Sequence, residues 1–310
     1  MKGWSVYMKY IILCSNKEKY TFKYIDSIAV EVCNVYEYKV KNIFEKILRK
    51  IVYFIDFYGT KKYYGTWVEK IEDPDVQLIV FDECRPYFRL SRILRKCYRI
   101  PIIYFWNPIQ KRNRINFLKK HFDVYTYSKE DSIKFELKFN QTFLPNYFFD
   151  FKNKDVIYTS VFIGQNKNRL KYLERLYTIL PNSYFHIIKD GNEKSNIMKL
   201  KSKTEAISYS DYLKFIQKSG CIIEILPSNN AGFTLRSIES IVMQKKLITN
   251  NKKIIDYEIY KKGNIFIFDD NTSEKQLIDF IEQPFIEYSD EERLYFSFDN
   301  WLNRFEIEKR

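Results

Sequence analysis

Histidine is nearly missing. The 310 residues contain two, His121 and His186, so a multi-histidine metal site is not expected. Cysteine is sparse and odd in number: Cys14, Cys33, Cys84, Cys97 and Cys221, with no C-x-x-C among them. That argues against a disulfide framework and against a structural zinc site, and free thiols suit a reducing cytosol. No apolar run approaches the roughly 20 residues that cross a bilayer. The apolar core near the start, Tyr10 to Cys14, is too short for a signal-peptide core and reads as a first buried strand. G-x-G-x-x-G and G-x-x-x-x-G-K-[ST] are both absent, which lowers a dinucleotide dehydrogenase and a P-loop NTPase. The absence of G-x-S-x-G lowers a hydrolase with a nucleophile elbow. There is no short-period repeat and no low-complexity segment.

The composition is that of a globular chain, with 45% hydrophobic and 29% charged residues. At this length two domains are the prior, each with its own core. Fifty-two Lys and Arg stand against 39 Asp and Glu, a formal net charge of +13. Such a surface favours polyanions: nucleic acid, an anionic membrane or phosphorylated substrates. Aromatic residues reach 18%, enough to supply cores and still line a cleft where a ring stacks on a sugar or base.

Along the chain, short apolar runs alternate with helical patterns. Strands are expected at Tyr10 to Ser15, Val76 to Phe81, Ile100 to Trp106 and Phe122 to Tyr127. Val40 to Phe57 is amphipathic and basic, with Ile43, Ile47, Ile51 and Ile55 at helical spacing, and reads as a long helix able to touch lipid headgroups. A polar stretch, residues 150–155, reads as a linker. The pattern then restarts, with strands at Val156 to Ile163, Tyr184 to Ile188, Cys221 to Leu226 and Asn264 to Phe268, and helices between. The alternation predicts two α/β units with parallel sheets, Rossmann-like and facing a cleft. The expected domains are residues 1–149 and 156–287, with a helical tail over 288–310.

The most informative stretch runs from Asn229 to Asn250. It reads as loop, amphipathic helix, tight connection and buried strand. Gly232 precedes the helix, Thr234 is placed to cap it, and Arg236 and Glu239, three apart, share a face. Free amides, a hydroxyl and an arginine at a helix start suit a diphosphate, and the carboxylate one turn further in suits ribose hydroxyls. The plain alternative is an ordinary helix with a solvated Arg and Glu. Gly164, at a strand end and followed by Lys167 and Arg169, is a second phosphate-side feature. In the first half, Asp82 and Glu83 end a strand, where either would serve as a general base toward an acceptor hydroxyl; capping or ion pairing is the plainer role. Trp106 and Asn107 end the next strand, where they would stack on and hydrogen-bond a sugar, unless Trp106 is simply core. His186 is expected in the core and His121 at the surface. Asp73-Pro74-Asp75 precedes a strand and reads as a turn rather than a metal-binding pair.

Gly232-Phe233-Thr234-Leu235-Arg236-Ser237-Ile238-Glu239, followed by Lys246-Leu247-Ile248-Thr249-Asn250-Asn251, resembles the donor-binding motif of GT-B glycosyltransferases, nearest those that build capsular and lipopolysaccharide chains. Phe105-Trp106-Asn107-Pro108, Val161-Phe162-Ile163-Gly164 and the pair Tyr257-Glu258-Ile259-Tyr260 with Asn264-Ile265-Phe266-Ile267 extend the resemblance over most of the chain. It implies a hexosyltransferase-type enzyme on the cytoplasmic face of a membrane. The nucleotide sugar would lie in the C-terminal domain and a lipid-linked or oligosaccharide acceptor in the N-terminal one, with the C-terminal helix packing back on the first domain. Glu239 would then bind the donor ribose, the Gly232–Phe233 backbone and Thr234 the diphosphate, and Arg236 would offset leaving-group charge. No metal cofactor is expected, because helix dipole and basic side chains take that part. Many retaining members carry a second Glu eight residues before the ribose-binding one; Ala231 stands there, so the anomeric outcome is open. An inverting reaction would need Asp82 or Glu83 as its base. The rival reading is a non-catalytic nucleotide-binding protein, or a nucleic-acid-binding one, although no recognised nucleic-acid module is present.

Overall fold

The computed structural model describes residues 8–25, 27–37, 40–55, 64–84, 94–109, 112–150, 155–188, 205–227, 232–257, 260 and 263–307. The expectations for Asn229 to Ala231, for Glu258 and Ile259, for most of the 150–155 linker, and for the middle of the helix after Asp82 fall outside these residues. The chain divides into two compact α/β units, Met1–Pro145 with Trp301–Arg310, and Asn146–Asn300. Residues 288–300 of the expected tail fall in the second unit and residues 301–310 in the first.

The first unit is built on a six-stranded sheet in the order β2-β1-β3-β4-β5-β6. The strands are β1 Lys9–Cys14, β2 Val30–Asn34, β3 Val76–Phe81, β4 Ile102–Phe105, β5 Asp123–Thr126 and β6 Lys138–Phe139. Every pairing is parallel. β3 is buried along its whole length, as a strand covered on both faces must be. Its one polar residue, Gln77, is accommodated because its amide donates to the Leu78 and Ile100 carbonyls at 3.2 and 3.0 Å. Trp301, fully buried, packs against Phe143, Phe305 and Tyr104 with ring centroids 4.6, 4.7 and 5.1 Å away. Burying a side chain of this size contributes about 2–3 kcal/mol.

The second unit carries five parallel strands in the order β11-β10-β9-β7-β8. They are β7 Tyr158–Gln165, β8 Tyr184–Ile188, β9 Ser219–Glu224, β10 Lys246–Thr249 and β11 Ile265–Ile267. Its helices include α1 Leu170–Ile179, α2 Tyr209–Gln217, α3 Leu235–Val242 and α4 Glu274–Glu282. Serines and threonine set their starts: Ser208, Thr234 and Ser273 each accept from a first-turn amide, a bond whose loss typically costs about 1 kcal/mol.

Strand order locates the ligand-binding end of each sheet. In the first unit β1 lies between β2 and β3; in the second β7 lies between β8 and β9. Chain direction across the sheet reverses at these points, and the strands' carboxyl ends there form a natural crevice. In the first unit that places Ser15 beside Asp82 and Glu83. In the second it places Gly164 and Gln165 beside Ile225.

Candidate functional site

The reversal point of the second unit is lined by two guanidinium groups. Arg169 donates to the Gln165 carbonyl from Nε at 3.1 Å and from Nη2 at 2.8 Å, and reaches the Ile225 carbonyl from Nη1. It therefore ties the ends of β7 and β9 together. Arg236 donates to the Ile163 carbonyl. Both guanidiniums lie over the Phe162 ring, 4.9 and 5.1 Å from its centroid. A β-carbon at Gly164 would stand 3.0 Å from Arg236 Nη2 and 3.2 Å from Arg169 Nη2. The glycine is what lets two cations converge on one strand end. Lys167 is exposed on the following loop with φ at 44°, a left-handed conformation uncommon outside glycine.

One turn into α3, Glu239 is buried at 1% exposure. Its carboxylate accepts from the Tyr209 hydroxyl at 2.5 Å and from the Tyr212 hydroxyl. Burial pushes the Glu239 carboxyl up, while the two tyrosines and Arg236 pull it back down. Tyr212 is itself held well above the ordinary phenol range by burial and by the Glu239 charge. An ionised carboxylate has about four acceptor positions, so two remain after the tyrosines. Glu239 and Arg236 line one cavity of about 360 Å³ with Ile163, Ile188, Ile207, Tyr209, Tyr212 and Leu235. A carboxylate, a guanidinium and branched apolar walls thus share one space.

The loop entering α3 is held from below by a residue that sequence reasoning did not single out. Glu224, the last residue of β9, is 1% exposed. It accepts from the hydroxyls of Thr234, of Ser237 at 3.4 Å and of Thr249 at 2.5 Å. Thr234 also accepts from the Ser237 amide at 3.4 Å. Its hydroxyl is therefore engaged within the protein, and the turn offers a ligand its backbone rather than that hydroxyl. Phe233 is an anchor, 1% exposed and packed on Tyr257 and Phe296. Asn251 fixes the turn by donating to the Gly232 carbonyl at 3.0 Å. The signal for Glu224 was present, an acid ending an apolar strand with Thr and Ser ten and thirteen residues on, but only the fold brings the four together.

In the first unit the two candidate bases differ. Glu83 is occupied: it accepts from the Ser15 amide at 3.0 Å, from the Ser15 hydroxyl at 2.8 Å and from the Lys19 ammonium. This is a clamp across the reversal point between β1 and β3. Asp82 instead accepts from the Asn107 side-chain amide at 3.1 Å and from the Trp106 backbone amide at 3.4 Å. Burial drives its carboxyl up to about 6, against the opposing pull of those two donors. Asp82 is thus suited to exchange a proton near neutral pH, as a general base must. Trp106 packs on Phe22 and Phe81, ring centroids 5.4 and 4.9 Å away, with Lys19 over its face, while Asn107 is exposed beside Asp82.

Asp82, Trp106 and Asn107 therefore form one group in the first unit, and Gly164, Arg169, Arg236 and Glu239 another in the second. His186 is buried mid-strand, its Nε2 2.8 Å from the Glu205 carbonyl, and His121 packs on Phe117. Neither belongs to these groups. Asp73 accepts from the Asp75 amide at 2.9 Å, closing the turn before β3. No protein-family model matches the chain, and no curated protein matches it.

Proposed function

We propose that the chain is a GT-B-type glycosyltransferase that moves a sugar from a nucleotide donor to a hydroxyl of a lipid-linked surface glycan. The observation that carries this reading is the cavity shared by Glu239 and Arg236. A buried carboxylate with open acceptor positions matches ribose hydroxyls, and the neighbouring guanidinium matches a diphosphate. Ile188 and Ile207 supply apolar wall for a base. Arg236, with Arg169 behind Gly164, would stabilise the charge that develops on the leaving diphosphate. No step in this scheme calls for a resident metal.

On this reading the second unit holds the donor and the first supplies the acceptor side. Asp82 would accept the proton of the attacking hydroxyl and Asn107 would hold its carboxylate in line. A base on that side fits inversion at the anomeric carbon. Glu83 and Trp106 support the position of Asp82 rather than touching the sugar.

The reading places the protein on an anionic membrane. The helix Ile43–Ile55 exposes Ile43, Phe44, Ile47, Leu48 and Ile51, between 43% and 78% each, with Lys46 and Lys50 also exposed on it. An apolar stripe flanked by lysines suits the headgroup boundary. Among the described residues no helix is long and apolar enough to cross a bilayer.

The experiment is a release assay. The protein is incubated with a panel of nucleotide sugars and a lipid extract carrying undecaprenyl-type acceptors, and free nucleoside diphosphate is measured. Release that depends on both donor and acceptor, and is lost in Asp82→Asn, supports the reading. Nucleotide binding without turnover would move the assignment to a non-catalytic protein.

A further inference from the structure

A second cavity of this unit lies at the opposite end of its sheet. It measures about 540 Å³ and is lined by the amino ends of three strands, through Val156 and Thr159, Gly220 and Lys246, together with Lys245, Gln283 and one carboxylate residue, Glu287, which makes no ion pair with either lysine. Two lysine side chains are buried here, Lys245 at 3% and Lys246 at 6% exposure. Lysine is seldom buried without a counter-charge, yet among the described residues neither ammonium has a carboxylate within ion-pair distance.

Their situations differ. Lys246 is satisfied by three carbonyls at the end of α4: Phe280 at 2.7 Å, Ile281 at 2.8 Å, and Gln283. It uses all three of its donors to close a helix terminus, where a cation is favoured. Lys245 makes one hydrogen bond, to the Gln217 carbonyl at 3.2 Å, so among the described residues two of its three donors have no acceptor. Desolvation with nothing to offset it pulls the Lys245 ammonium down to about 8. The backbone forces this placement. Gln244 ends α3 at φ 56°, and its side chain is fastened to the Tyr288 backbone by bonds of 2.8 and 3.0 Å. Lys245 is thereby turned inward at the wall of the cavity.

We propose that this cavity binds a small oxyanion, a phosphate or carboxylate group, on the Lys245 ammonium. An anion there would supply the missing acceptors and counter-charge, and the cavity has the volume of a small metabolite site. The inference is independent of the transferase reading, since it concerns the other end of the sheet.

The test is calorimetric titration with inorganic phosphate and, separately, succinate. It is done in an Arg236→Gln background, which breaks the cation pair behind Gly164. Lys245 and Lys245→Met are compared. Removing an uncompensated buried charge should not lower the melting temperature, so melting without anion serves as the folding control. The expected result is millimolar or tighter binding of at least one anion, weakened about tenfold or more by Lys245→Met. Preference for phosphate would assign a phosphorylated ligand, and preference for succinate a carboxylate. Equal binding with and without Lys245, or no binding of either anion at millimolar concentration, would overturn the proposal.

Discussion

The Asn107 amide nitrogen donates to the Asp82 carboxylate at 3.1 Å, across the carboxyl ends of two adjacent strands. Asp82 is nonetheless displaced upward to about 6, because burial outweighs this bond and the one from Trp106. Activity should therefore rise with pH through a value near 6. Asn107→Leu removes an opposing pull, so the midpoint should move higher; a rate profile measured on both proteins checks it.

The same displacement makes Asp82 a cost to folding. Its carboxyl ionises more readily in the unfolded chain, near 3.8, than in the folded one. Between those values the folded state holds more protons, so stability falls as pH rises from about 4 to 6 and stays lower above that. That displacement corresponds to about 3 kcal/mol. Asp82→Asn should raise the melting temperature at pH 7.5, change it little at pH 4, and cut turnover about 10²- to 10⁴-fold. Melting curves at the two pH values, beside the release assay, test this directly.

Glu83 should behave oppositely. Its bonds to Ser15 and Lys19 are made within the protein, and Glu83→Gln weakens them. A loss of about 1–2 kcal/mol is expected, with the shape of the pH–rate profile retained. A profile whose limb near pH 6 vanished in Glu83→Gln would exchange the roles of the two acids.

Tyr209 and Tyr212 hold the Glu239 carboxyl down against burial. Replacing both with phenylalanine should push the carboxyl further up and weaken nucleotide binding, more at the lower of two pH values. Titration of nucleoside diphosphate at the two pH values reads the effect.

Ile47→Ser with Phe44→Ser should leave the melting temperature unchanged, since both side chains are exposed. Flotation with anionic vesicles should fall several-fold, and wild-type binding should weaken with salt. Equal flotation of the double variant would remove the helix from the membrane account.

Much of the architecture was legible because its signals are local. Val76–Phe81 reads as a buried strand from composition alone, and Thr234 marks a helix start by the chemistry of its hydroxyl. Glu239 and Arg236 were legible as a pair because three residues of helix fix their spacing. What stayed hidden depended on strand order. The sequence does not state that β1 and β7 are flanked on both sides, so it could not say that Glu83 meets Ser15, or that Arg169 bridges Gln165 and Ile225. Val30–Asn34 went unread as a strand, its residues being mostly half-buried at the sheet edge. Glu224 and Lys245 likewise matter through residues far away in the chain.

The central claim is that Glu239 and Arg236 seat a nucleotide. The most direct measurement is calorimetric binding of UDP, GDP, CMP, dTDP and ADP to wild type, Glu239→Gln and Asp82→Asn, each checked for folding by its melting curve. The account predicts that one nucleotide binds wild type and Asp82→Asn alike and is weakened about tenfold or more by Glu239→Gln. Equal binding to Glu239→Gln, or binding of none of the five, would contradict it.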